Sequence, residues 1–297
     1  MAHLASTLDN EKIKTAENAV MAIVDRYNLP VQKAQLIGGY SNTLFKLAPL
    51  PLVARVATAT ASVRKDSEWM RRELAVANYL NQVQASVVRP SQILPPGPHQ
   101  HEGLTVTFWE YFEHTDAPPP PFKTGELLHD LHDGLTECSV TLPVMGPLQE
   151  AWKILDDPVL THSLQGDARA VVNRASDLVQ HRLDEQELEI RPLHGDAHHG
   201  NLWQTPNGPI WGDFEDACTG PIEWDLACLV ASSCVFGTGR AASEAIEGYA
   251  GGFDPILLDL LIMARTIQAV AWAFVSLAEP TSSHRLQQRL DWLARRS

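Results

Sequence analysis

The sequence predicts an α+β fold in two parts: an N-terminal antiparallel β-sheet lobe with one inserted helix, and a larger, mainly helical C-terminal lobe. Two patterns predict it. Short runs of strand-forming residues dominate residues 1–113, whereas residues 114–297 repeat apolar residues at helical spacing. Four consecutive prolines, 118–121, separate the two patterns, because such a run continues neither a helix nor a central strand. The length of 297 residues suits two folding units.

The N-terminal lobe is predicted to open with an amphipathic helix at residues 11–27. A second helix is expected at residues 67–82, where apolar side chains recur with helical spacing and Ser67 is a plausible cap. The strands are predicted at residues 34–37, 44–47, 52–57 and 104–112.

The C-terminal lobe is predicted to consist mostly of helices. Only residues 190–216 interrupt this pattern, because short apolar segments there are separated by Gly, Asn and Asp, which predicts loops and a short hairpin. The helices are predicted at residues 124–137, 146–155, 168–184, 224–236, 241–249, 255–277 and 282–296.

The acidic charge of the chain is concentrated in its second part. The chain has a formal net charge of −13, and residues 114–297 hold 26 of its 36 acidic residues but 12 of its 23 basic ones. Such a surface argues against a nucleic-acid partner and favours a cationic ligand, although solubility alone would also explain it.

The composition predicts a cytoplasmic protein that does not bind a membrane. The four cysteines form no CxxC pair or metal-finger spacing, and the N-terminus lacks the basic and apolar regions of a signal peptide. The most apolar stretch, 255–277, contains Asp259, Arg265 and Gln268, which a lipid-spanning helix would expose at high cost. A buried helix is therefore expected there.

A glycine-rich hairpin is predicted at residues 37–46. Gly38 and Gly39 have no Cβ atoms, and Ser41 and Asn42 follow in the same turn. The backbone amides of this hairpin could therefore approach an anion such as phosphate. The same residues would also form an ordinary tight turn.

Arg55 is a charge within the otherwise apolar strand 52–57. In a half-buried strand this cation needs an anion, which could be a phosphate or a carboxylate. Glu73, midway along helix 67–82, is the candidate carboxylate. Alternatively, Arg55 faces solvent and Glu73 pairs with Arg71 or Arg72 on its own helix.

Polar side chains concentrate in residues 193–216. Asp196 and Asn201 are five positions apart, and Asp213 lies twelve positions further, beyond a predicted strand pair. An amide oxygen and a carboxylate suit Mg²⁺ beside substrate phosphates and leave a second carboxylate to orient an incoming hydroxyl. A zinc site at His194, His198 and His199 is the alternative, but the intervening glycines argue against the helix that this spacing requires.

These motifs, in this order, resemble the aminoglycoside phosphotransferase family, which has a protein-kinase-like fold and includes choline and other small-molecule kinases. The resemblance extends from about residue 37 to residue 225 and is most specific in His-Gly-Asp-x-x-x-x-Asn followed by Asp-Phe-Glu. It implies a bilobal kinase-like fold with nucleotide between the lobes. It also implies ATP and Mg²⁺ as cofactors and transfer of the γ-phosphoryl group to a hydroxyl of a small molecule.

The resemblance implies roles for individual residues. Asp196 would be the catalytic base or hydroxyl-orienting residue, and Asn201 and Asp213 would bind Mg²⁺. Asp225 would steady the catalytic loop, and His132 would be structural. The residues implied for nucleotide binding are Gly38, Gly39, Ser41 and Asn42 over the phosphates, Arg55 in place of the usual strand lysine, Glu73 as its ion-pair partner, and Glu110, Tyr111 and Phe112 as the hinge beside adenine.

The acceptor is the least determined part of this prediction. An acidic C-terminal lobe suits an aminoglycoside or another cationic amino-alcohol, whereas the family resemblance also allows a neutral sugar, a macrolide or a metabolite such as homoserine. Because arginine replaces lysine at position 55, a nucleotide-binding pseudoenzyme or regulatory module is the alternative function. The sequence makes no prediction of the oligomeric state.

Overall fold

The structure, a computed structural model, describes residues 10–39, 42–58, 60–64, 66–115, 117–237, 239–276 and 283–297. Apart from short 3₁₀ turns, these residues form nine helices and nine strands. In chain order they are α1 (Asn10–Arg26), β1 (Lys33–Gly39), β2 (Asn42–Ala48), β3 (Leu52–Ala57), α2 (Glu68–Gln82), β4 (His99–His101), β5 (Leu104–Glu110), α3 (Pro121–Leu135), α4 (Gly146–Asp156), α5 (Gly166–Asp184), β6 (Arg191–Leu193), β7 (Leu202–Thr205), β8 (Gly208–Trp211), β9 (Cys218–Gly220), α6 (Ile222–Phe236), α7 (Gly239–Gly248), α8 (Pro255–Ser276) and α9 (His284–Ala294).

The N-terminal part is an antiparallel sheet of five strands in the order β1-β2-β3-β5-β4, as the sequence predicts. Helix α1 packs one apolar face on this sheet, where Val20 and Ile23 join a buried cluster with Phe45 and Val56. Helix α2 is inserted between β3 and β4, as expected. Arg55 thus lies on β3, the central strand of the sheet, and Glu73 lies on α2.

Strand β4 is absent from the sequence prediction. It has only three residues, all polar, so no alternation of apolar side chains indicates it. A two-residue turn joins it to β5 and allows the two strands to pair. Both residues of this turn have positive φ angles, 46° at Glu102 and 80° at Gly103. Two positive φ angles are typical of the type I′ turns that join antiparallel strands.

The C-terminal part is mainly helical, and its helices share one large buried core. Helix α3 begins within the proline run at Pro121, three residues before the predicted start, because proline is well tolerated in the first turn of a helix. Helix α8 is long and apolar enough to cross a membrane by length and composition, but most of it is buried inside the protein, as the sequence predicts. The proposed lobe boundary between residues 113 and 114 stays a prediction.

Two small antiparallel sheets interrupt the helices, β6 with β9 and β7 with β8. The β7–β8 pair is the predicted hairpin. The β6–β9 pair is absent from the prediction because its strands have three residues each and are separated by 24 residues. Together, these sheets hold the loops that carry Asp196, Asn201 and Asp213.

Helices α3 and α7 touch through their backbones at Gly125. A Cβ atom there would lie 2.0 Å from the backbone oxygen of Ala245. We expect Gly125→Ala to lower the free energy of unfolding by about 1–3 kcal/mol, because the helices must separate to admit the methyl group. Chemical denaturation measures this change.

The matched control for Gly125→Ala is Gly134→Ala on the same helix. A Cβ atom at Gly134 would meet only side chains, the nearest at 3.6 Å, which is ordinary contact. This variant should gain about 0.5–1 kcal/mol from the better helix propensity of alanine. Equal stability of the two variants would contradict the close helix contact.

Candidate active site

Asp196 lies on a loop whose backbone depends on a glycine. The loop follows β6, and Gly195 has a φ angle of +86°. A Cβ atom at Gly195 would lie 1.8 Å from the backbone oxygen of Asp216. Since L side chains are disfavoured at this φ and the space is already filled, glycine is required here. The loop of Asp196 is therefore in direct backbone contact with the segment that follows Asp213.

Asp225, on α6, anchors this loop through hydrogen bonds to its backbone. Its carboxylate is fully buried and accepts hydrogen bonds from the backbone N–H groups of His194 at 2.9 Å and Gly195 at 2.8 Å. Nε2 of His132 on α3 lies 3.0 Å from the same carboxylate, and its Nδ1 lies 2.8 Å from the hydroxyl of Tyr249. Asp225 thus connects the loop to two helices, which agrees with the steadying role expected from the sequence.

His194 connects the loop to the segment before Asp213. Its Nε2 lies 3.0 Å from the backbone oxygen of Gly212, and its Nδ1 accepts a hydrogen bond from the N–H of Asp196 at 3.3 Å. Burial lowers the pKa of His194. A neutral imidazole with its proton on Nε2 satisfies both contacts. His194 is therefore a brace between the two halves of the site.

Asp196 is surrounded by polar partners but keeps a fifth of its side chain exposed. Arg265 Nη2 lies 2.5 Å from its Oδ1, and His198 Nε2 lies 3.4 Å from its Oδ2. The Nδ2 group of Asn201 donates to Oδ2 at 3.2 Å and to the backbone oxygen at 2.9 Å. Burial opposes ionisation, but Arg265 and then His198 outweigh it and hold the pKa of Asp196 well below its usual value. The carboxylate is therefore ionised at neutral pH.

Arg55 connects the N-terminal sheet to the segment that carries Asp213. Its guanidinium is buried; Nη1 pairs with Glu73 of α2, and Nη2 pairs with Glu215 and, at 2.8 Å, with Asp213. Several carboxylates thus compensate a buried cation that would otherwise be costly. The alternative in which Arg55 faces solvent is wrong.

A second arginine, Arg64, joins the two parts of the molecule. Its Nε and Nη2 donate to the carboxylate of Glu150 on α4 at 2.9 and 2.8 Å, and Nη2 also pairs with Asp216. Its guanidinium carbon lies 5.4 Å from the ring centroid of Trp69 and 5.5 Å from that of Trp272. The bidentate geometry and the flanking rings hold Arg64 firmly between the N-terminal part and α4.

The residues around Asp213 have a chemistry that fits a divalent cation. Asp213 has a left-handed φ of +64°, which is uncommon for a non-glycine residue. The N–H of Gly212 donates to the backbone oxygen of Asn201 at 3.0 Å, so Asn201 and Asp213 are held near each other. Burial, opposed by Arg55 and reinforced by Asp213, raises the pKa of Glu215 to about 8. The Asp213 carboxylate and the Asn201 amide oxygen are two oxygen donors of the kind that Mg²⁺ prefers beside substrate phosphates.

The zinc alternative finds no support. Within the described ranges, no group of three or more His, Cys, Asp or Glu side chains is arranged to hold a metal ion. His194 instead directs its Nε2 to the backbone oxygen of Gly212.

The predicted glycine hairpin joins β1 to β2. Gly38 and Gly39 end β1, and the register between the two strands shifts just before Gly38. Ser41 lies outside the described residues. The two glycines therefore lie at the turn end of the hairpin, where the sequence predicts a phosphate-covering loop.

Both polar atoms of the Asn42 side chain form hydrogen bonds within the protein. Its Nδ2 donates to Glu215 at 2.9 Å, and its Oδ1 accepts a hydrogen bond from the hydroxyl of Thr60 at 2.8 Å. A phosphate contact from Asn42 would therefore come from its backbone. The side chain links the glycine hairpin to the carboxylates around Asp213.

The predicted hinge follows the end of β5. The N–H of Glu110 donates to the backbone oxygen of Arg89, and that of Tyr111 donates to the backbone oxygen of Pro51, both at 2.9 Å. The N–H of Phe112 donates to no backbone oxygen of the described residues. Of the three residues expected to face adenine, Phe112 is thus the one with a backbone donor available.

The sequence does not predict that Arg265 and Arg64 belong to the site. Arg265 interrupts the most apolar stretch of the sequence, and a cation in such a helix is itself a signal of a buried anionic partner. Arg64 lies between a strand and a helix without any distinguishing pattern. Its partner Glu150 is 86 positions away, so only the tertiary structure brings the two together.

Most of the sequence matches the model of one known protein family. Residues 33–258, about three quarters of the chain, match the model of the phosphotransferase enzyme family. The sequence matches no curated protein significantly. Because the family model covers more than half of the chain, the chain belongs to the phosphotransferase enzyme family. The kinase-type phosphotransferase activity expected from its motifs is thus confirmed at the level of the family.

Solved structures with the same fold cover nearly the whole chain. An amicoumacin kinase in complex with AMP-PNP, Ca²⁺ and amicoumacin is 13% identical, with a TM-score of 0.74 and 97% of each chain covered. A choline kinase from Streptococcus pneumoniae is 14% identical, with a TM-score of 0.69, over 94% of this chain and 99% of the other. A microcompartment-associated aminopropanol kinase is 15% identical, with a TM-score of 0.66, over 93% and 94%. The predicted kinase-like fold is thus confirmed.

Proposed function

We propose that the protein transfers the γ-phosphoryl group of ATP to a hydroxyl of a small molecule. The observation that carries this proposal is the placement of an ionised, partly exposed Asp196 beside Asn201 and next to the segment of Asp213. A carboxylate that accepts the acceptor hydroxyl and an adjacent oxygen-rich site beside the phosphates are the two parts that phosphoryl transfer to an alcohol requires.

Asp196 would orient the attacking oxygen. The acceptor hydroxyl donates its hydrogen bond to the carboxylate, and its oxygen forms a bond to the γ-phosphorus while the bond from phosphorus to the β–γ bridging oxygen breaks. ADP leaves with that electron pair, and the hydroxyl proton passes to Asp196 and then to solvent. Asn201 keeps the carboxylate in place through its two hydrogen bonds.

Asn201 and Asp213 would hold Mg²⁺, which neutralises charge on the phosphates when it is bound. Arg55 Nη2 faces Asp213 and Glu215, so it would lie next to the phosphates while Nη1 stays paired with Glu73. An arginine fork suits phosphate as well as carboxylate, so replacement of the lysine is compatible with transfer. The glycine hairpin and the backbone of Phe112 would contact the phosphates and adenine.

Structures with this fold support the assignment. Their names describe kinases of amicoumacin, choline and aminopropanol, and one includes an ATP analogue with Ca²⁺. These acceptors differ in size and structure, so the fold alone does not determine the acceptor of this chain. A cationic amino-alcohol and a cytoplasmic location both stay predictions.

The test is ATP consumption with Mg²⁺ across aminoglycosides, macrolides, amino-alcohols, sugars and hydroxy-acids. Acceptor-dependent turnover that Asp213→Asn and removal of Mg²⁺ both abolish is the expected result. Binding of nucleotide without transfer of its phosphoryl group to any acceptor or to water would instead favour the alternative function, a nucleotide-binding pseudoenzyme or regulatory module.

The contact between Arg265 and Asp196 predicts the pH dependence of turnover. Arg265 favours the ionised carboxylate, so Arg265→Gln should raise the pKa of Asp196 and reduce its ionised fraction at acidic pH. The acidic limb of the kcat profile should therefore move to higher pH in this variant. Arg240→Gln, at an exposed arginine on α7, should leave the limb in place. An unmoved limb in Arg265→Gln would contradict the role assigned to this contact.

A further inference from the structure

Trp203 on β7 lies between the residues expected to bind Mg²⁺ and the predicted hinge. It follows Asn201 by two positions and is only half-buried. Its ring centroid lies 5.8 Å from that of Phe112, the hinge residue whose N–H donates to no backbone oxygen of the described residues. The indole therefore connects the loop of Asn201 to the hinge.

Gly212, the residue before Asp213, makes room for this indole. A Cβ atom at Gly212 would lie 2.5 Å from Cζ3 of Trp203 and 2.7 Å from Cγ2 of Val88. Only glycine permits so close an approach of a side chain to its backbone. Trp203 thus contacts the hinge on one side and the backbone next to Asp213 on the other.

The N-terminal sheet supplies apolar side chains on the face that carries Arg55. Leu44 is the register partner of Arg55, and Val53 lies two positions before it, so all three share one face. That face is turned toward the C-terminal part, because Arg55 pairs with carboxylates there. Leu44 and Val53 are both half-buried, and Val53 belongs to one apolar cluster with Val88, which lies beside Trp203.

These contacts place an aromatic surface where a nucleotide base would lie. The proposed function puts the phosphates at Asn201 and Asp213 and the edge of adenine at the backbone of Phe112. Trp203 contacts both Phe112 and Gly212, so its indole lies between these two ends. An aromatic side chain binds a nucleobase by stacking on its ring face, and tryptophan offers a large, rigid surface for this.

We propose that Trp203 is the stacking platform for the nucleotide base, with Leu44 and Val53 as the apolar side chains on the other side of the base. This inference rests on the proposed function and specifies how its nucleotide is recognised. The ring face of the base would bind Trp203, and its edge would bind the backbone of Phe112. A phosphoryl donor without an aromatic base should therefore bind weakly.

The first test is quenching of tryptophan fluorescence by ADP with Mg²⁺. Trp203 is one of eight tryptophans, so stacking should remove part of the emission and leave the rest. Trp203→Phe should still bind ADP but should lose this quenching. The matched control is Trp152→Phe, which changes a half-buried tryptophan on α4 and should retain it.

The second test is calorimetry, which separates stacking from a structural role. Trp203→Leu should weaken ADP binding about 5- to 100-fold, which corresponds to about 1–3 kcal/mol, whereas Trp203→Phe keeps a ring and should keep most of the affinity. Tripolyphosphate with Mg²⁺ has no base and should bind Trp203→Leu and the unmodified protein equally. Trp152→Leu should bind ADP as the unmodified protein does.

Each outcome has a distinct meaning. Equal ADP affinities of Trp203→Leu and Trp152→Leu, or quenching that persists in Trp203→Phe, would overturn the platform and leave the proposed kinase function intact. Equal losses of affinity for ADP and tripolyphosphate would also overturn it, because they would indicate a displaced loop at Asn201. ADP binding that depends on Trp203, without transfer to any acceptor, would support the platform and count against the proposed function. If Trp203→Leu fails to fold, the fluorescence of Trp203→Phe decides.

Discussion

Replacement of Asp196 by asparagine is expected to reduce kcat by about 10²–10⁴-fold, the usual contribution of a positioned general base. Asparagine keeps the size of the side chain and can still meet Asn201, but it cannot take the hydroxyl proton. It also loses the ionic contact with Arg265. Steady-state kinetics with the acceptor found in the panel measures the effect.

The matched control for this variant is Asp130→Asn, which removes a carboxylate from an exposed position on α3. Its kcat should equal that of the unmodified protein. Thermal unfolding of Asp196→Asn should remain cooperative, because Asp225 and His194 hold the loop independently of this carboxylate. Full activity of a folded Asp196→Asn protein would refute the mechanism.

Replacement of Asp225 by alanine is expected to have the largest effect on stability. It leaves two buried N–H groups, those of His194 and Gly195, without their acceptors, and it removes the partner of His132. At about 1–3 kcal/mol for each unsatisfied buried donor, the free energy of unfolding should fall by about 2–6 kcal/mol. Urea denaturation measures the change, with Asp130→Ala as the exposed control.

Asp225→Ala should also impair turnover, because the loop that carries Asp196 loses its anchor. The fall in kcat should persist at low temperature, where the variant is still folded by circular dichroism. Unchanged stability together with unchanged kcat would contradict the anchoring role.

The parts of this molecule that the sequence predicts are those with local patterns. The helices of the C-terminal part show periodic apolar residues, and the loop proposed to be catalytic is a short motif in which His194, Asp196 and Asn201 are only a few positions apart. The Arg55–Glu73 pair was also foreseeable as one of two alternatives, because a charge in an apolar strand requires a partner.

The parts that the sequence leaves open depend on distant residues. Arg64 contacts Glu150, and Arg265 contacts Asp196, only because the tertiary structure brings α4 and α8 next to them. Strand β4 forms through a tight turn and pairing with β5 and not through its own polar residues.

The destination of the γ-phosphoryl group tests the central claim most directly. ³¹P NMR of Mg²⁺, ATP and the acceptor with the enzyme should show a new phosphomonoester signal that grows with ADP. The signal should grow at least about 100-fold more slowly with Asp196→Asn, and at the unmodified rate with Asp130→Asn. Inorganic phosphate as the sole product, or an ester formed equally by Asp196→Asn, would contradict direct transfer to a hydroxyl held by Asp196.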